Sequence, residues 1–230
     1  MLQLLYTFMF FSHLSFPGKP VDQAKVQLQL ISQAYEDQAN FSMHTDYILY
    51  QDAYNGQVID ENHATFQKFS ATRYAQQMGD VRSIQYDGIS CMVDFTGHKI
   101  IVQQLADPST AVVPTDLSDY LESCERITVE PARIILEYGT QSNSPYTRVS
   151  ILYDADSHLL RELVLYPKQQ VELMGTDNRI QYVPSVLKIR FHELQENTVR
   201  DSDVNYTDYV VPSGKAFKQT QAYQSFELMH

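Results

Sequence analysis

The stretch Ser83–Gln103, SIQYDGISCMVDFTGHKIIVQ, constrains the fold of this chain more than any other. Asp87-Gly88 and Thr96-Gly97 are turn pairs. The runs Ser83–Tyr86, Ile89–Phe95 and Lys99–Val102 alternate apolar and polar residues. Period-two alternation broken by such pairs predicts a tight meander of antiparallel strands. Nothing in the meander forms a catalytic pattern. Its apolar face needs a cover.

Before it, Val21, Ala24, Leu28, Ile31 and Tyr35 recur at spacings of three and four. That period predicts one amphipathic helix over Val21–Gln38. From Phe41 the period becomes two, and Asn55-Gly56 marks a turn. Further strands are expected over Ala64–Phe69, Thr72–Gln76, Ala132–Tyr138, Thr147–Tyr153, Leu159–Tyr166, Val186–Leu194, Tyr206–Val211 and Tyr223–Met229. Asp154–Ser157 reads as a hairpin turn. Pro108 and Pro114 make 106–118 a loop, followed by a short helix over Asp116–Glu125. The fold class is therefore α+β and mostly β, with about ten antiparallel strands. A sheet of that size curls strongly. The N-terminal helix and the 106–125 segment are the available lids over its concave face.

The 230 residues, 43% of them hydrophobic, suffice for one core in one domain. A net charge of −11 sets the chain against phosphate backbones and anionic membrane surfaces, so no nucleic-acid partner is expected. Leu2–Phe16 is mostly apolar and ends at Pro17-Gly18, which fits an export signal over 1–18. No Lys or Arg precedes the run and no A-x-A motif follows it, and the alternative is a buried first element. Residues 19–230 would then be a single domain, with a strand-like extension from about 216.

Chemical motifs are absent from the sequence. The histidines are scattered, and His192-Glu193 lacks the second histidine of H-E-x-x-H. Asp154-x-Asp156-x-His158 lacks the glycine bend and distant glutamate of a calcium loop. No nucleophile elbow, Walker or dinucleotide glycine pattern occurs. No catalytic residue, metal or cofactor is expected. Cys91 and Cys124 could form a disulfide in an export compartment, or stand as two separate buried thiols.

The order of elements resembles the periplasmic outer-membrane lipoprotein carrier (LolA-like) family. The residues that carry the resemblance are Ala64–Phe69, Ser83–Gly88 running into Phe95 and Lys99–Val102, Ile151–Leu163, Val186–Asn197, and the closing Tyr209-Val210-Val211-Pro212-Ser213-Gly214. It implies an open half-barrel with helical lids over an apolar cavity that holds acyl chains. The implied partners are a lipid or acylated protein and membrane-associated donor and acceptor proteins; the chain would act as a periplasmic monomer. The strand residues placed inward are Phe66, Ile84, Tyr86, Ile89, Val93 and Phe95, then Ile100, Val102, Ile134 and Leu136, then Val149, Ile151, Leu187, Ile189 and Phe191. The family's lid-holding arginine falls at Phe69-Ser70, which leaves Phe69 or Arg73 to control the lid. The alternatives are a binding or scaffold module with a filled interior and, more distantly, an enzyme with an unrecognised site.

Overall fold

The computed structural model describes residues 19–51, 56–105, 118–121, 123–174, 179–214 and 216–229. Residues 1–18, read as an export signal, and residues 106–117 lie outside these. The helix α1 is Pro20–Glu36, with proline in its first turn where no N–H is needed. The first half of the chain then forms β1 Phe41–Gln51, β2 Val58–Ser70, β3 Arg73–Met78, β4 Val81–Tyr86, β5 Ile89–Asp94 and β6 Lys99–Gln104. The second half forms β7 Arg126–Glu130, β8 Arg133–Glu137, β9 Tyr146–Tyr153, β10 Leu160–Pro167, β11 Val171–Met174, β12 Ile180–Val183, β13 Ser185–Phe191 and β14 Gln195–Glu196. The chain closes with β15 Val210–Ser213, β16 Ala216–Gln219 and β17 Glu227–Met229.

Thirteen strands make one sheet in the order β17-β6-β5-β4-β3-β2-β1-β13-β10-β9-β8-β7, with β14 added beside β1. Its pairs are antiparallel except β17 on β6, and the sheet stays open because β17 and β7 do not meet. The predicted meander is β4–β6, with Tyr86 opposite Ile89 and Val93 opposite Ile100. The helix and the strands β8, β9, β10 and β13 lie where the periods place them, whereas only Val210–Val211 of the expected Tyr206–Val211 strand and only Glu227–Met229 of the expected Tyr223–Met229 strand are extended, and β7 comes unannounced. Within the expected mid-chain helix, Ser118–Leu121 forms a 3-10 turn, whose Tyr120 and Leu121 pack beside α1's core.

Residues directly opposite on neighbouring strands share a face of the sheet. Met43 faces Phe66, Phe66 faces Gln76, and Gln76 faces Ser83. The next residues along, Gln67, Ala75, Ile84, Cys91 and Val102, therefore stand on the other face. The core is divided accordingly. On the first face Ala24, Ile31, Ile134, Leu136, Val149 and Ile151 are all 0% exposed and belong to one packed cluster between α1 and the sheet. On the second face Val199, Val204, Tyr206 and Val210 cover Ala75, Ile84, Cys91, Val93, Ile100 and Val102. The second cover is thus a C-terminal strap that begins at Val199 and lies across the meander before the chain joins the sheet edge as β17. The residues expected to line one wall belong to two faces.

Both cysteines are free, Cys91 under the strap and Cys124 beside α1's core, so the sheet separates them and the disulfide option is removed. Burial pushes the Cys91 thiol up to about 12.

Candidate functional site

Two latches hold the two covers. Ala64, Phe66 and Lys68 alternate onto the α1 face, which carries a lysine into the core. Lys68 is 5% exposed, and its Nζ donates to the carbonyls of Tyr35 at 3.1 Å and Glu36 at 3.2 Å. These are last-turn carbonyls, which have no partner within the helix and carry its negative end. The ammonium also lies 5.7 Å from the Phe41 ring centre. Burial lowers the Lys68 pKa, while Glu36 and Asp37 oppose that shift.

Arg73 serves the other cover. Its guanidinium lies 4.5 Å from the Tyr86 ring centre and donates to Asp87 and, at 2.9 Å, to Asp201 in the strap. Tyr86 donates to Asp201 at 3.0 Å, and Arg82 donates to the Asp203 carbonyl. Phe69 packs on the strap side as well. The expectation that Phe69 or Arg73 contacts the α1 lid is corrected here: side-chain parity sends both to the opposite face, and Lys68 holds α1. Sequence reasoning passed over Lys68, although its in-phase position with Phe66 was a readable signal.

Among the described residues, clefts open at opposite ends of β1 and β13 on the α1 face. The first has a volume of about 690 Å³. It is lined by the directly opposed pair Leu49 and Leu187, by Tyr146 and Pro167, and by Gln169, Gln170, Val171, Glu172 and Tyr182 at the β11–β12 hairpin. Ser185 stands at this end, 4% exposed, and its Oγ has no hydrogen-bond partner among the described residues. The second cleft, about 640 Å³, lies where Tyr35 ends α1 and Phe191 ends β13.

Of the fifteen residues expected to line a cavity, the structure brings eight to this face. Phe66, Ile134, Leu136, Val149 and Ile151 are packed core, while Leu187, Ile189 and Phe191 are half-buried. Leu187 reaches the first cleft and Phe191 the second. Ile84, Tyr86, Ile89, Val93, Phe95, Ile100 and Val102 lie on the strap side. Alternation identified apolar faces but could not say which faces of different strands coincide.

No family model and no curated protein matches the chain. Solved structures do resemble it. A LolA superfamily protein from Nitrosomonas europaea is 10% identical, with 80% of this chain and 98% of that one covered at a TM-score of 0.36. An uncharacterized conserved protein from Thermus thermophilus is 6% identical over 79% and 92%, at a TM-score of 0.44. A MucA/MucB complex from Pseudomonas aeruginosa is 14% identical over 77% and 58%, at a TM-score of 0.41. Identities this low assign no ligand to this chain.

On the opposite, solvent side of β1, Asp46 draws together two histidines that are distant in sequence. Its carboxylate lies 2.8 Å from His63 Nδ1 and 2.7 Å from His192 Nε2. Those hydrogen bonds, His63 first, hold Asp46 below the usual carboxylate range, and Asp46 in turn raises His63. The His63 contribution to stability is complete below its ordinary value of 6.5 and fades as pH rises through the raised one. The Asp46 contribution fades as pH falls through its lowered value. Asp46→Asn is expected to bring the His63 titration midpoint down towards the ordinary value, as read by the pH dependence of its ring-proton NMR shift; an unmoved midpoint contradicts the pairing. Among the described residues, no cluster of His, Cys, Asp and Glu has the geometry to hold a metal ion.

Proposed function

We propose that the protein is a non-catalytic binding protein that holds an acyl chain in the first cleft. The observation that carries this reading is the pairing of an apolar floor, Leu49 and Leu187, with the unpartnered hydroxyl of buried Ser185 at the same end. An apolar chain on that floor gains about 0.8 kcal/mol per buried CH₂. A carbonyl or carboxylate at its head can accept the Ser185 hydrogen bond. The cleft's 690 Å³ falls in the range of about 300–1,000 Å³ usual for small-ligand sites. A free lipid and an acylated protein share the chain chemistry. On the same reading Leu2–Phe16 directs export and the protein works in the periplasm, which the intact mass of the mature chain checks.

Displacement of a fluorescent fatty acid tests the site. Leu187→Asp is expected to weaken binding at least tenfold, because a carboxylate on the floor cannot be paired there. Tyr182→Ser, at a side chain 61% exposed, is expected to weaken it by a smaller factor without affecting folding. Unchanged affinity in both variants, with wild-type circular dichroism, rejects the assignment.

One observation favours a second reading, a protein-binding module. Met174 is 69% exposed, Ile180 57% and Tyr182 61%, all on one side of the β11–β12 hairpin. A partner held by that side would bind lipid-free protein, and Met174→Asp would release it.

A further inference from the structure

The second cleft combines features that the first lacks. Its floor is apolar and half-buried, formed by Leu159, Phe191 and Leu194 against Tyr35. Its rim carries three carboxylates, Asp154, Glu193 and Glu196, against one guanidinium, Arg161. Arg161 is already engaged, donating to Asp154, and His192 Nε2 lies on Asp46. Glu193 and Glu196 are exposed and, among the described residues, have no cation partner. Backbone N–H groups of Ser157 and Asp156, with Arg161, hold Asp154 down at about 2, so it remains a carboxylate at neutral pH.

The rim is also fixed in place. Glu196 sits in β14, paired with Phe41. The His192 N–H donates to the His44 carbonyl at 2.9 Å, which sets the backbone just before Glu193. The sheet therefore fixes the backbone that carries Glu193 and Glu196 beside the floor.

We propose that this cleft docks an extended segment of a partner protein in which lysine or arginine alternates with apolar side chains. Charge complementarity selects the occupant. Lysine and arginine lay an aliphatic stem on apolar surface and keep the charged head at its edge, which matches an apolar floor under an acidic rim. Guanidinium groups pair carboxylates through two parallel hydrogen bonds. The chain's net charge of −11 steers a cationic segment towards the molecule, and the cleft provides the place where it stops. Anionic nucleic acid is excluded by the same sign. A purely apolar ligand would leave Glu193 and Glu196 unused.

Fluorescence anisotropy with a labelled peptide of alternating leucine and arginine tests the proposal on the full chain. The expected result is saturable binding that weakens with added salt, and at least tenfold weaker binding to Glu193→Gln/Glu196→Gln. The control Asp22→Asn/Asp208→Asn removes the same charge from sites outside the cleft and is expected to bind like the wild type. Leu194→Ser is expected to weaken binding several-fold, and a peptide with glutamine for arginine is expected not to bind. Saturating peptide is expected to leave fatty-acid displacement unchanged, so the second cleft is judged apart from the first. Failure of the wild type to bind, equal loss in both double variants, or full binding by Glu193→Gln/Glu196→Gln overturns the proposal.

Discussion

Phe41→Ala is expected to lower the stability of the fold by about 3–5 kcal/mol, the usual cost of removing a buried phenylalanine. Phe41 is 0% exposed and sits where α1, β1 and β2 meet. Its ring centre is 6.1 Å from that of Tyr35 and 5.7 Å from that of Phe66, and Phe66 continues to Tyr74 at 5.7 Å. Truncation breaks this aromatic row and leaves a void between filled neighbours. It also uncovers the Lys68 ammonium, which lies 5.7 Å from the ring centre. Urea denaturation followed by circular dichroism measures the effect. A loss below about 2 kcal/mol would mean that the interior has room to relax, against a filled core.

Lys68→Met is expected to cost about 1.5–3 kcal/mol, the range for hydrogen bonds to a charged group. Methionine keeps most of the volume but leaves the Tyr35 and Glu36 carbonyls without their donor. Hydrogen exchange should accelerate in the last turn of α1 and stay unchanged in the strap. Arg73→Gln should do the reverse. It loosens Asp201 and the strap, speeds exchange around Val199–Val210, and makes Cys91 reactive to a thiol reagent while α1 stays protected. If Arg73→Gln instead loosened α1, or Lys68→Met left it untouched, the assignment of one latch to each cover would fail. The two substitutions together separate the two layers in one experiment.

Local chemistry made a large part of this protein legible. The helix follows from Ala24, Leu28, Ile31 and Tyr35, which fall on one side at 3.6 residues per turn and are the residues buried. The meander follows from Asp87-Gly88 and the flanking alternation; Asp87 and Gly88 take the positive φ angles, 47° and 87°, that such a turn requires. Asp154–Ser157 is a turn because Asp154 accepts from the N–H groups of Asp156 and Ser157. These interactions span a few residues, so sequence order carries them.

The candidate site was legible only in fragments. Leu187 and Phe191 were named, but as members of one wall with Val93 and Ile100, which lie beneath the strap on the other face. Alternation fixes parity within a strand, whereas parity between strands depends on register, and a shift of one residue exchanges the faces. Ser185, Glu193 and Glu196 are polar, so apolar alternation does not mark them, and only the ends of β13 and β14 bring them to the clefts.

What the sequence determined by itself is α1, the meander and the main strands: a helix where apolar residues recur at three and four, strands where they alternate, turns where Gly, Asp and Asn allow them. The tertiary structure alone decided which apolar faces meet. It laid α1 on one side of the sheet and the C-terminal strap on the other, gave Lys68 to the first and Arg73 to the second, and left clefts at the two ends of β13. The reason is physical. Backbone preference and turn chemistry act over a handful of neighbours, while the choice of face is settled by contacts such as Lys68 with Tyr35 or Arg73 with Asp201, whose partners lie 33 and 128 residues apart in the chain.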